Sequence, residues 1–295
     1  MDSFQVYRDI KARTDGEIYL GVVGPVRTGK STFIKRFADL LILPNLTDVH
    51  KKERTKDELP QSASGTTIMT TEPKFVPKEA VSVKLGEDVE VKIRLVDCVG
   101  YMVEGASGHI ENGTERQGTP WFEYEIPFTK AAAIGTQKVI HDHATIGLVV
   151  TTDGSVTELA RENYIPAEEK TVRELQEIGK PFLIILNCQK PYAEEAKSLK
   201  EELQEKYQAP VIAMNCEQMK AEDLHEMMQQ ILYEFPVTEV EFYLPKWVEM
   251  LSRDHRIKQN LLENVKTVLD ALGDIRSAVN LKIQPQGEYI DRMQV

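Results

Sequence analysis

Residues 24–31 read Gly24-Pro25-Val26-Arg27-Thr28-Gly29-Lys30-Ser31 and match the pattern G-x-x-x-x-G-K-[ST]. An apolar run, residues 18–23, precedes this stretch, and a run with helical character, residues 32–41, follows it. Glycines let the backbone curl so that successive N–H groups point inward at phosphate oxygens, and the N-terminus of the following helix favours a bound anion. A strand, this turn and a helix in sequence predict a loop that cradles the phosphates of a nucleotide.

Two side chains of this loop have distinct predicted roles. The Lys30 ammonium adds positive charge over the outer phosphates, and the Ser31 hydroxyl is a ligand for Mg²⁺. We therefore expect Lys30 to be catalytic and Ser31 to bind the metal. The residues predicted to bind the cofactor in this part of the chain are Gly24, Arg27, Thr28, Gly29, Lys30, Ser31 and Thr32.

The composition narrows the range of functions. The 295 residues carry a formal net charge of −11, and 41% of them are hydrophobic and 28% charged, as in an ordinary soluble globular protein. Nucleic acids and anionic lipids attract clustered Lys and Arg, so this charge argues against a general nucleic-acid binder and against direct adsorption to an anionic membrane. Residues 1–15 are polar and charged, and no apolar run reaches membrane-spanning length, so we expect a cytoplasmic protein.

Strand and helix patterns alternate along most of the chain. Residues 80–85 and 89–96 alternate apolar and polar side chains, and the glycine-containing stretch 86–88 joins them, which predicts an antiparallel hairpin. Buried-type strands and amphipathic helices follow one another from residue 145 to residue 235. This order predicts an α/β fold whose sheet is mostly parallel, covered on both faces, with one antiparallel hairpin.

The character of the chain changes after Pro236. Residues 1–236 are expected to form the P-loop domain. Residues 237–295 are predicted to form a helix and, from residue 278, a polar strand-like tail that together begin an incomplete second domain, because they cannot bury their own apolar face.

Other stretches lack a clear period. A charged mobile loop is predicted over residues 48–61, and a long functional loop over residues 101–129. The three cysteines, Cys98, Cys188 and Cys216, have no C-x-x-C spacing and are interpreted as buried thiols.

A phosphate loop requires a carboxylate at the end of a neighbouring strand. Asp97 follows the strand-like residues 93–96, and Gly100 completes the D-x-x-G pattern of GTPase-type NTPases. In that pattern the aspartate holds Mg²⁺ and its waters, and the glycine N–H senses the γ-phosphate. We therefore predict that Asp97 is catalytic and binds the metal, and that Gly100 binds the cofactor.

A switch loop between the two motifs should supply a threonine that completes the Mg²⁺ shell when the γ-phosphate is present. Four residues qualify at this point: Thr66, Thr67, Thr70 and Thr71. Tyr101 occupies the position where many GTPases place the glutamine that orients the attacking water, a task that tyrosine cannot perform in the same way. We expect water positioning to depend on a switch threonine or on a neighbouring subunit, and turnover to be slow unless the protein assembles.

The base specificity is predicted from the stretch after the strand at residues 181–186. Guanine-specific NTPases of this type have N-K-x-D there, and this chain has Asn187-Cys188-Gln189-Lys190. A lysine cannot accept hydrogen bonds from the guanine N1–H and 2-amino group, so selectivity for guanine should be lost and ATP is favoured. Asn187 is predicted to bind the cofactor.

Several stretches resemble the stage IV sporulation protein A family of endospore-forming bacteria. The resemblance covers nearly the whole chain, and the stretches that carry it are residues 24–35, 57–63, 70–77, 94–101, 233–237 and 244–248. It implies a morphogenetic ATPase related to the translation-factor GTPases, with its P-loop ATPase domain in residues 1–236 and a middle domain that begins within residues 237–295. By position in the family motifs it implies that Lys30 is the P-loop lysine, Asp97 the Mg²⁺-associated aspartate, and Thr70 and Thr71 the sensor threonines, with Thr70 a metal ligand.

The resemblance also implies a cellular role. Family members hydrolyse ATP, with Mg²⁺ as the metal cofactor, in order to polymerise into the basement layer of the spore coat on the forespore surface, in the mother-cell cytoplasm. The implied partners are further copies of the same protein, other spore coat morphogenetic proteins, and a small amphipathic membrane-anchoring peptide that docks on a C-terminal region beyond residue 295. No nucleic-acid partner is expected.

Two other functions stay open at this stage. The first is a regulatory GTPase that cycles between effectors, which the altered base motif disfavours. The second is a scaffold that holds a nucleotide without hydrolysing it, which Tyr101 at the glutamine position suggests.

Overall fold

The structure is a computed structural model that describes residues 17–60, 72–84, 90–106, 110–111, 114–115, 117–118, 124–235, 237, 240–273, 275–282, 287 and 289–290. Contacts within the chain group it into two units, residues 2–231 and residues 232–295.

Most strands of the first unit belong to one sheet. The strands of the chain are β1 (Glu17–Val23), β2 (Lys74–Lys84), β3 (Glu90–Asp97), β4 (Ile110–Glu111), β5 (Thr114–Glu115), β6 (Gln117–Gly118), β7 (Ile126–Pro127), β8 (Ile146–Thr152), β9 (Phe182–Asn187) and β10 (Val211–Met214). Six of them form a sheet in the order β10-β9-β8-β1-β3-β2, in which every neighbouring pair is parallel except β2 with β3. The predicted fold class, an α/β fold with a mostly parallel sheet and one antiparallel pair, is confirmed.

The sequence of the strands explains their places in the sheet. Every residue of β8 and of β9 is buried, as expected for parallel strands that are covered on both faces. In the antiparallel pair, Val81 lies opposite Ile93, and the register shifts between Val76 and Val81. The predicted turn of this hairpin, residues 86–88, lies outside the described residues.

In the described part of the chain, the α-helices of four or more residues are α1 (Lys30–Phe37), α2 (Val49–Glu58), α3 (Phe128–Lys138), α4 (Ile165–Glu177), α5 (Glu194–Tyr207), α6 (Ala221–Tyr233), α7 (Lys246–Glu249), α8 (Arg256–Ala271) and α9 (Ile275–Asn280). Two of them continue as a turn of π-helix, α1 over Ala38–Ile42 and α3 over Val139–His143. A short α-helical turn covers Leu43–Asn45, and a 3-10 turn covers Arg161–Asn163. On one side of the sheet, Val149 and Ile184 pack in a cluster with Val172, Leu175 and Leu203 from α4 and α5. This packing fixes the sheet whose edge carries the candidate site.

The prediction of a mobile loop over residues 48–61 was wrong, because residues 49–58 form α2. Asp48 caps this helix, since its Oδ1 accepts hydrogen bonds from the N–H groups of His50 (2.8 Å) and Lys51 (3.3 Å). An i,i+4 ion pair between Arg54 and Glu58 (3.1 Å) adds to its stability. The charge density that suggested a loop is that of a solvated helix surface.

The segment over residues 101–129 contains more structure than predicted. In its described part, β4 pairs with β5 and β6 pairs with β7, both antiparallel. Helix α3 begins at Phe128, directly after Pro127, and buries Ala131 and Ala132. This helix was not predicted from the sequence, and it contributes Thr136 to the candidate site.

The second unit contains the helices α7, α8 and α9. The prediction of a single helix over residues 247–275 was wrong, because α7 ends at Glu249 and α8 spans Arg256–Ala271. The His255 Nδ1 accepts from the Ile257 N–H (3.3 Å) and caps α8. The predicted strand-like tail is also wrong where the structure describes it, because Ala278 lies in α9 and no strand occurs in the described part of residues 278–295. Backbone bonds from Ile275 N to Phe235 O (2.9 Å) and from Val237 N to Gly273 O (3.1 Å) connect the start of this unit to the turn between α8 and α9.

Within the residues that the structure describes, no helix combines the length and the apolar composition needed to cross a membrane.

The three cysteines are buried free thiols, as predicted. Burial raises the pKa of Cys98 and of Cys188 to about 11, and that of Cys216 to about 12. Because the thiolate is the reactive form, we expect a thiol reagent at pH 8 to label almost no cysteine in the native chain and all three after denaturation. Rapid labelling of the native chain at pH 8 would contradict the burial of all three thiols.

Candidate nucleotide-binding site

The candidate site lies where the carboxyl ends of the parallel strands meet. The phosphate loop follows β1, and the residues that end the other parallel strands are Asp97 on β3, Thr152 on β8, Asn187 on β9 and Met214 on β10. In open α/β sheets, ligands bind outside this edge. The topology therefore brings the sequence motifs predicted to bind a nucleotide to one place.

The backbone of the phosphate loop has the left-handed conformations that its glycines allow. Gly24 has φ 125° and Gly29 has φ 93°, and an added Cβ on Gly24 would lie 2.5 Å from the Val150 carbonyl oxygen. Arg27 also has a positive φ of 61°, although it is not glycine, and its side chain is exposed. Such strain is typical of functional loops, because packing around them must hold the unfavourable conformation.

The Lys30 side chain is buried against the loop that precedes it. Its Nζ donates hydrogen bonds to the carbonyl oxygens of Pro25 (2.5 Å) and Gly24 (3.3 Å), and only 5% of the residue is exposed. Burial lowers the pKa of this ammonium, and the nearby charge of Asp97 opposes that effect. The Lys30 ammonium, predicted to contact the outer phosphates, is thus bound to backbone carbonyls of the phosphate loop.

Asp97 is on the strand next to the phosphate loop. Its register partner on β1 is Val22, two residues before Gly24. Desolvation raises the pKa of the Asp97 carboxyl to about 6, and the positive charges of Lys30 and Lys74 partly counteract this shift. An aspartate beside a buried lysine at the end of a strand is placed to face a metal-bound nucleotide.

The oxygen donors at this edge fit Mg²⁺, which prefers carboxylate and hydroxyl oxygens and retains several waters. Asp97 supplies the carboxylate, and Ser31 is half-buried in the first turn of α1. Among the described residues, no three or more His, Cys, Asp or Glu side chains group closely enough to hold a metal on their own. A metal here would therefore depend on nucleotide oxygens and water for the rest of its shell.

The Gly100 N–H, predicted to sense the γ-phosphate, has a protein partner. It donates to the Thr136 hydroxyl oxygen of α3 at 3.2 Å. Gly100 has φ 94°, and an added Cβ would lie 2.1 Å from the Gly24 carbonyl oxygen and 2.6 Å from the Lys30 Nζ. Sequence reasoning missed Thr136, because its helix was not predicted.

Tyr101 is joined to the phosphate loop by its backbone, and its side chain packs in a buried cluster that includes Val26 of that loop. Its N–H donates to Gly24 O (3.3 Å) and its carbonyl accepts from Val26 N (2.9 Å). Its hydroxyl donates to the Glu174 carboxylate on α4, and the Lys170 ammonium lies 4.1 Å from the ring centroid. Desolvation, then the Glu174 bond, raises the pKa of this hydroxyl. The Tyr101 side chain is thus engaged with α4 through both its hydroxyl and its ring.

Asn187 connects the phosphate loop to the strand ends that follow it. Its Nδ2 donates to the Thr28 carbonyl oxygen (2.9 Å), and its Oδ1 accepts from the Cys216 N–H (3.1 Å). Asn187 is only 5% exposed. It also packs against Gly29, because a Cβ added to Gly29 would lie 2.3 Å from the Asn187 Nδ2. Asn187, predicted to bind the cofactor, is therefore placed to position the loop.

We expect Asn187→Asp to weaken nucleotide binding by about 5- to 100-fold, because a carboxylate cannot donate to Thr28 O and the cost of an unpaired buried polar group is about 1–3 kcal/mol. Isothermal titration calorimetry measures this loss. Asn215→Asp is the control: the Asn215 Oδ1 accepts from the N–H groups of Glu217 and Gln218, a role that aspartate retains, and the donor bond that it loses, from Nδ2 to Gln189 O, is long (3.4 Å) and exposed. Equal effects of the two substitutions would contradict a specific role for Asn187.

The switch threonines predicted from the sequence, Thr66, Thr67, Thr70 and Thr71, lie outside the described residues. Thr32 follows Ser31 in the first turn of α1 and is half-buried.

Two family models match this chain, one after the other. A family model described as the ATPase domain of stage IV sporulation protein A matches residues 1–236, and one described as the middle domain of that protein matches residues 237–295. Stage IV sporulation protein A of Clostridioides difficile (strain 630) is 53% identical over 92% of this chain and 55% of its own length. The protein of the same name from Bacillus anthracis is 49% identical over 99% of this chain and 60% of its own length.

Among solved structures, the crystal structure of an SsGBP mutation variant matches with a TM-score of 0.40 and 14% identity, over 78% of this chain and 62% of that one.

The chain spans somewhat more than half the length of the curated relatives that it matches. Its first 236 residues carry the phosphate loop, Asp97 and Asn187, and these are the residues that the ATPase-domain model covers. The chain belongs to the stage IV sporulation protein A family.

Proposed function

We propose that this chain hydrolyses ATP to ADP and phosphate with Mg²⁺ as its metal cofactor. The observation that carries the proposal is the pairing of a strained phosphate loop with the buried Lys30 ammonium and the Asp97 carboxylate at one sheet edge. A loop of backbone N–H groups, a lysine and a strand-end aspartate together bind and neutralise a triphosphate.

When bound, Mg²⁺ neutralises charge on the phosphates as the terminal phosphoryl group leaves. Asp97 and Ser31 are the residues that would hold it. In the resting chain, Lys30 donates to the loop carbonyls of Pro25 and Gly24, so it must exchange these partners for phosphate oxygens. That exchange favours the bound state, because it replaces a neutral acceptor by a charged one and so adds a direct attraction between opposite charges.

Adenine as the base is proposed from the loop that follows β9. Gln189 and Lys190 are exposed there, and neither can act as the carboxylate that accepts from guanine. Asp153 lies beside this loop, but its Oδ1 already accepts from the N–H (2.9 Å) and the hydroxyl (2.6 Å) of Ser155. The Ser155 Oγ in turn accepts from the Gln189 N–H (2.9 Å), so this carboxylate holds a turn.

Displacement of a fluorescent ATP analogue tests the choice of base. We expect ATP to compete at least about 10-fold better than GTP, since the guanine N1–H and 2-amino group would be left without their carboxylate acceptor, and an unpaired buried donor costs about 1–3 kcal/mol. Equal competition by the two nucleotides would remove the argument for adenine.

Positioning of the attacking water is assigned to Thr70 or Thr71, or to a neighbouring subunit. The hydrogen bond from the Tyr101 hydroxyl to Glu174 supports this assignment, because it directs that side chain to α4. Turnover by the isolated chain is then slow, as in NTPases that lack a positioned catalytic residue.

We further propose the cellular role that family membership suggests. ATP hydrolysis drives self-association into a homopolymer at the base of the spore coat, on the forespore surface in the mother-cell cytoplasm. Other coat morphogenetic proteins and a small amphipathic membrane-anchoring peptide are the proposed partners. The net charge of −11 opposes unspecific aggregation, so contacts between copies have to be specific.

Sedimentation tests the coupling of hydrolysis to assembly. The chain should move to the pellet after incubation with ATP and Mg²⁺, and stay in solution with a non-hydrolysable analogue or as Lys30→Ala. Hydrolysis without any assembly, or assembly with the analogue, would contradict this coupling.

A scaffold that holds a nucleotide without hydrolysing it is the second candidate function, and the Tyr101–Glu174 bond favours it. This function predicts tight binding of ATP with no phosphate released.

A further inference from the structure

The backbone donor expected to recognise the γ-phosphate is already paired in the resting chain. The Gly100 N–H donates to the Thr136 Oγ1 at 3.2 Å, and both residues are buried. A buried N–H of this kind cannot be left without an acceptor at low cost. Binding a triphosphate through this N–H therefore means breaking the bond to Thr136.

Thr136 is oriented to act as an acceptor. Its hydroxyl proton goes to the Ala132 carbonyl oxygen (2.9 Å), one helical turn earlier on α3, which leaves the oxygen lone pairs to face Gly100. The residue is fully buried and lies among buried neighbours of α3. The acceptor is thus held in place by its own helix.

Gly100 lies at the phosphate side of the loop although its N–H points to α3. An added Cβ would lie 2.6 Å from the Lys30 Nζ and 2.1 Å from the Gly24 carbonyl oxygen, so the Gly100 Cα packs directly on the loop. Glycine permits the peptide rotation that redirects its N–H, because it populates positive and negative φ almost equally. The two acceptors, hydroxyl and phosphate, compete for one donor.

We propose that Thr136 is a positioning residue that holds the Gly100 N–H away from the nucleotide in the resting chain, so that a γ-phosphate must take this donor from the Thr136 hydroxyl. The inference rests on the proposed ATPase function. It assigns to α3 a part in discriminating triphosphate from diphosphate. ADP has no γ-phosphate to compete, so its binding leaves the bond between Gly100 and Thr136 intact.

The test compares Thr136→Val, which removes the hydroxyl and keeps the shape, with Thr136→Ser, which keeps the hydroxyl. Calorimetry measures the affinity of each chain for a non-hydrolysable ATP analogue and for ADP, both with Mg²⁺. We expect the valine variant to bind the analogue about 3- to 10-fold more tightly, with ADP affinity within about twofold of the parent, since freeing the donor removes the cost of one buried hydrogen bond. The serine variant should match the parent.

Other results have distinct meanings. An unchanged ratio of analogue to ADP affinity in the valine variant, or equal weakening of both, would overturn the role of Thr136 while leaving ATP binding intact. Failure of the parent chain to bind either nucleotide would overturn the proposed function, and the inference with it.

A second measurement does not depend on any variant. The Gly100 amide resonance of the parent chain, followed by NMR, should shift with the analogue and Mg²⁺ and stay unchanged with ADP. The same shift with both nucleotides would contradict the exchange of the donor.

Discussion

Replacing Gly100 with alanine is expected to lower ATP hydrolysis by about 100-fold, the loss typical of a misplacement of about 1 Å at a catalytic site. The new Cβ would lie 2.1 Å from the Gly24 carbonyl oxygen and 2.6 Å from the Lys30 Nζ, so the strand end or the phosphate loop must move. The φ of 94° adds strain that alanine cannot relieve without turning its peptide. Phosphate release by the variant measures the loss.

Gly179→Ala is the matched control for this substitution. Gly179 also has a positive φ, 64°, in the turn between α4 and β9, but nothing lies within 4 Å of its added Cβ. The control should cost about 1–2 kcal/mol in folding free energy from the left-handed backbone alone and leave turnover intact. Full activity in both variants would contradict the close packing of Gly100 against the Gly24 carbonyl and the Lys30 ammonium.

Replacing Glu168 with alanine is expected to lower the free energy of unfolding by about 3–5 kcal/mol, the cost of breaking a buried ion pair. The Glu168 side chain is fully buried and lies 2.7 Å from the Arg161 guanidinium. It also accepts from the Tyr207 hydroxyl (2.8 Å) and from the Thr151 hydroxyl, so it joins β8, α4 and α5. Its loss leaves a charge and two hydroxyls without their acceptor. Thermal unfolding should shift downward by roughly 10 °C.

The neighbouring residue supplies the control. Glu169 pairs with Lys206 at 2.7 Å, but both side chains are about two-fifths exposed. Surface pairs of this kind contribute about 0–1 kcal/mol, so Glu169→Ala should unfold within a few degrees of the parent. Similar melting temperatures for Glu168→Ala and Glu169→Ala would contradict the prediction that the buried Glu168 contacts contribute more to stability than the exposed pair.

The sheet and the position of the phosphate loop could be predicted because their signals are local. The apolar strand, the turn and the helix around Lys30 are contiguous, and the same holds for β3 with Asp97. A fully buried strand such as β9 is recognisable in the sequence, because every residue before its final Asn187 is apolar. Helix α2 was missed although its signal is local too, because the Asp48 cap was outweighed by the charged composition that follows it.

The partners of the site residues could not be predicted, because they come from distant parts of the chain. Gly100 and its acceptor Thr136 are 36 residues apart, and Tyr101 and Glu174 are 73 residues apart. A motif specifies which donor faces a phosphate, but the side chain that pairs with that donor before the ligand arrives depends on helix packing. The contact between Asn187 and the Thr28 carbonyl, 159 residues away along the chain, is of the same kind.

Phosphate release by the purified chain with ATP and with GTP at equal concentration, beside Lys30→Ala, tests the central claim most directly. The site predicts Mg²⁺-dependent release from ATP well above that from GTP, and its loss in the variant, because the alanine removes the charge over the outer phosphates. Preferential turnover of GTP, or turnover that survives in Lys30→Ala, would contradict the account.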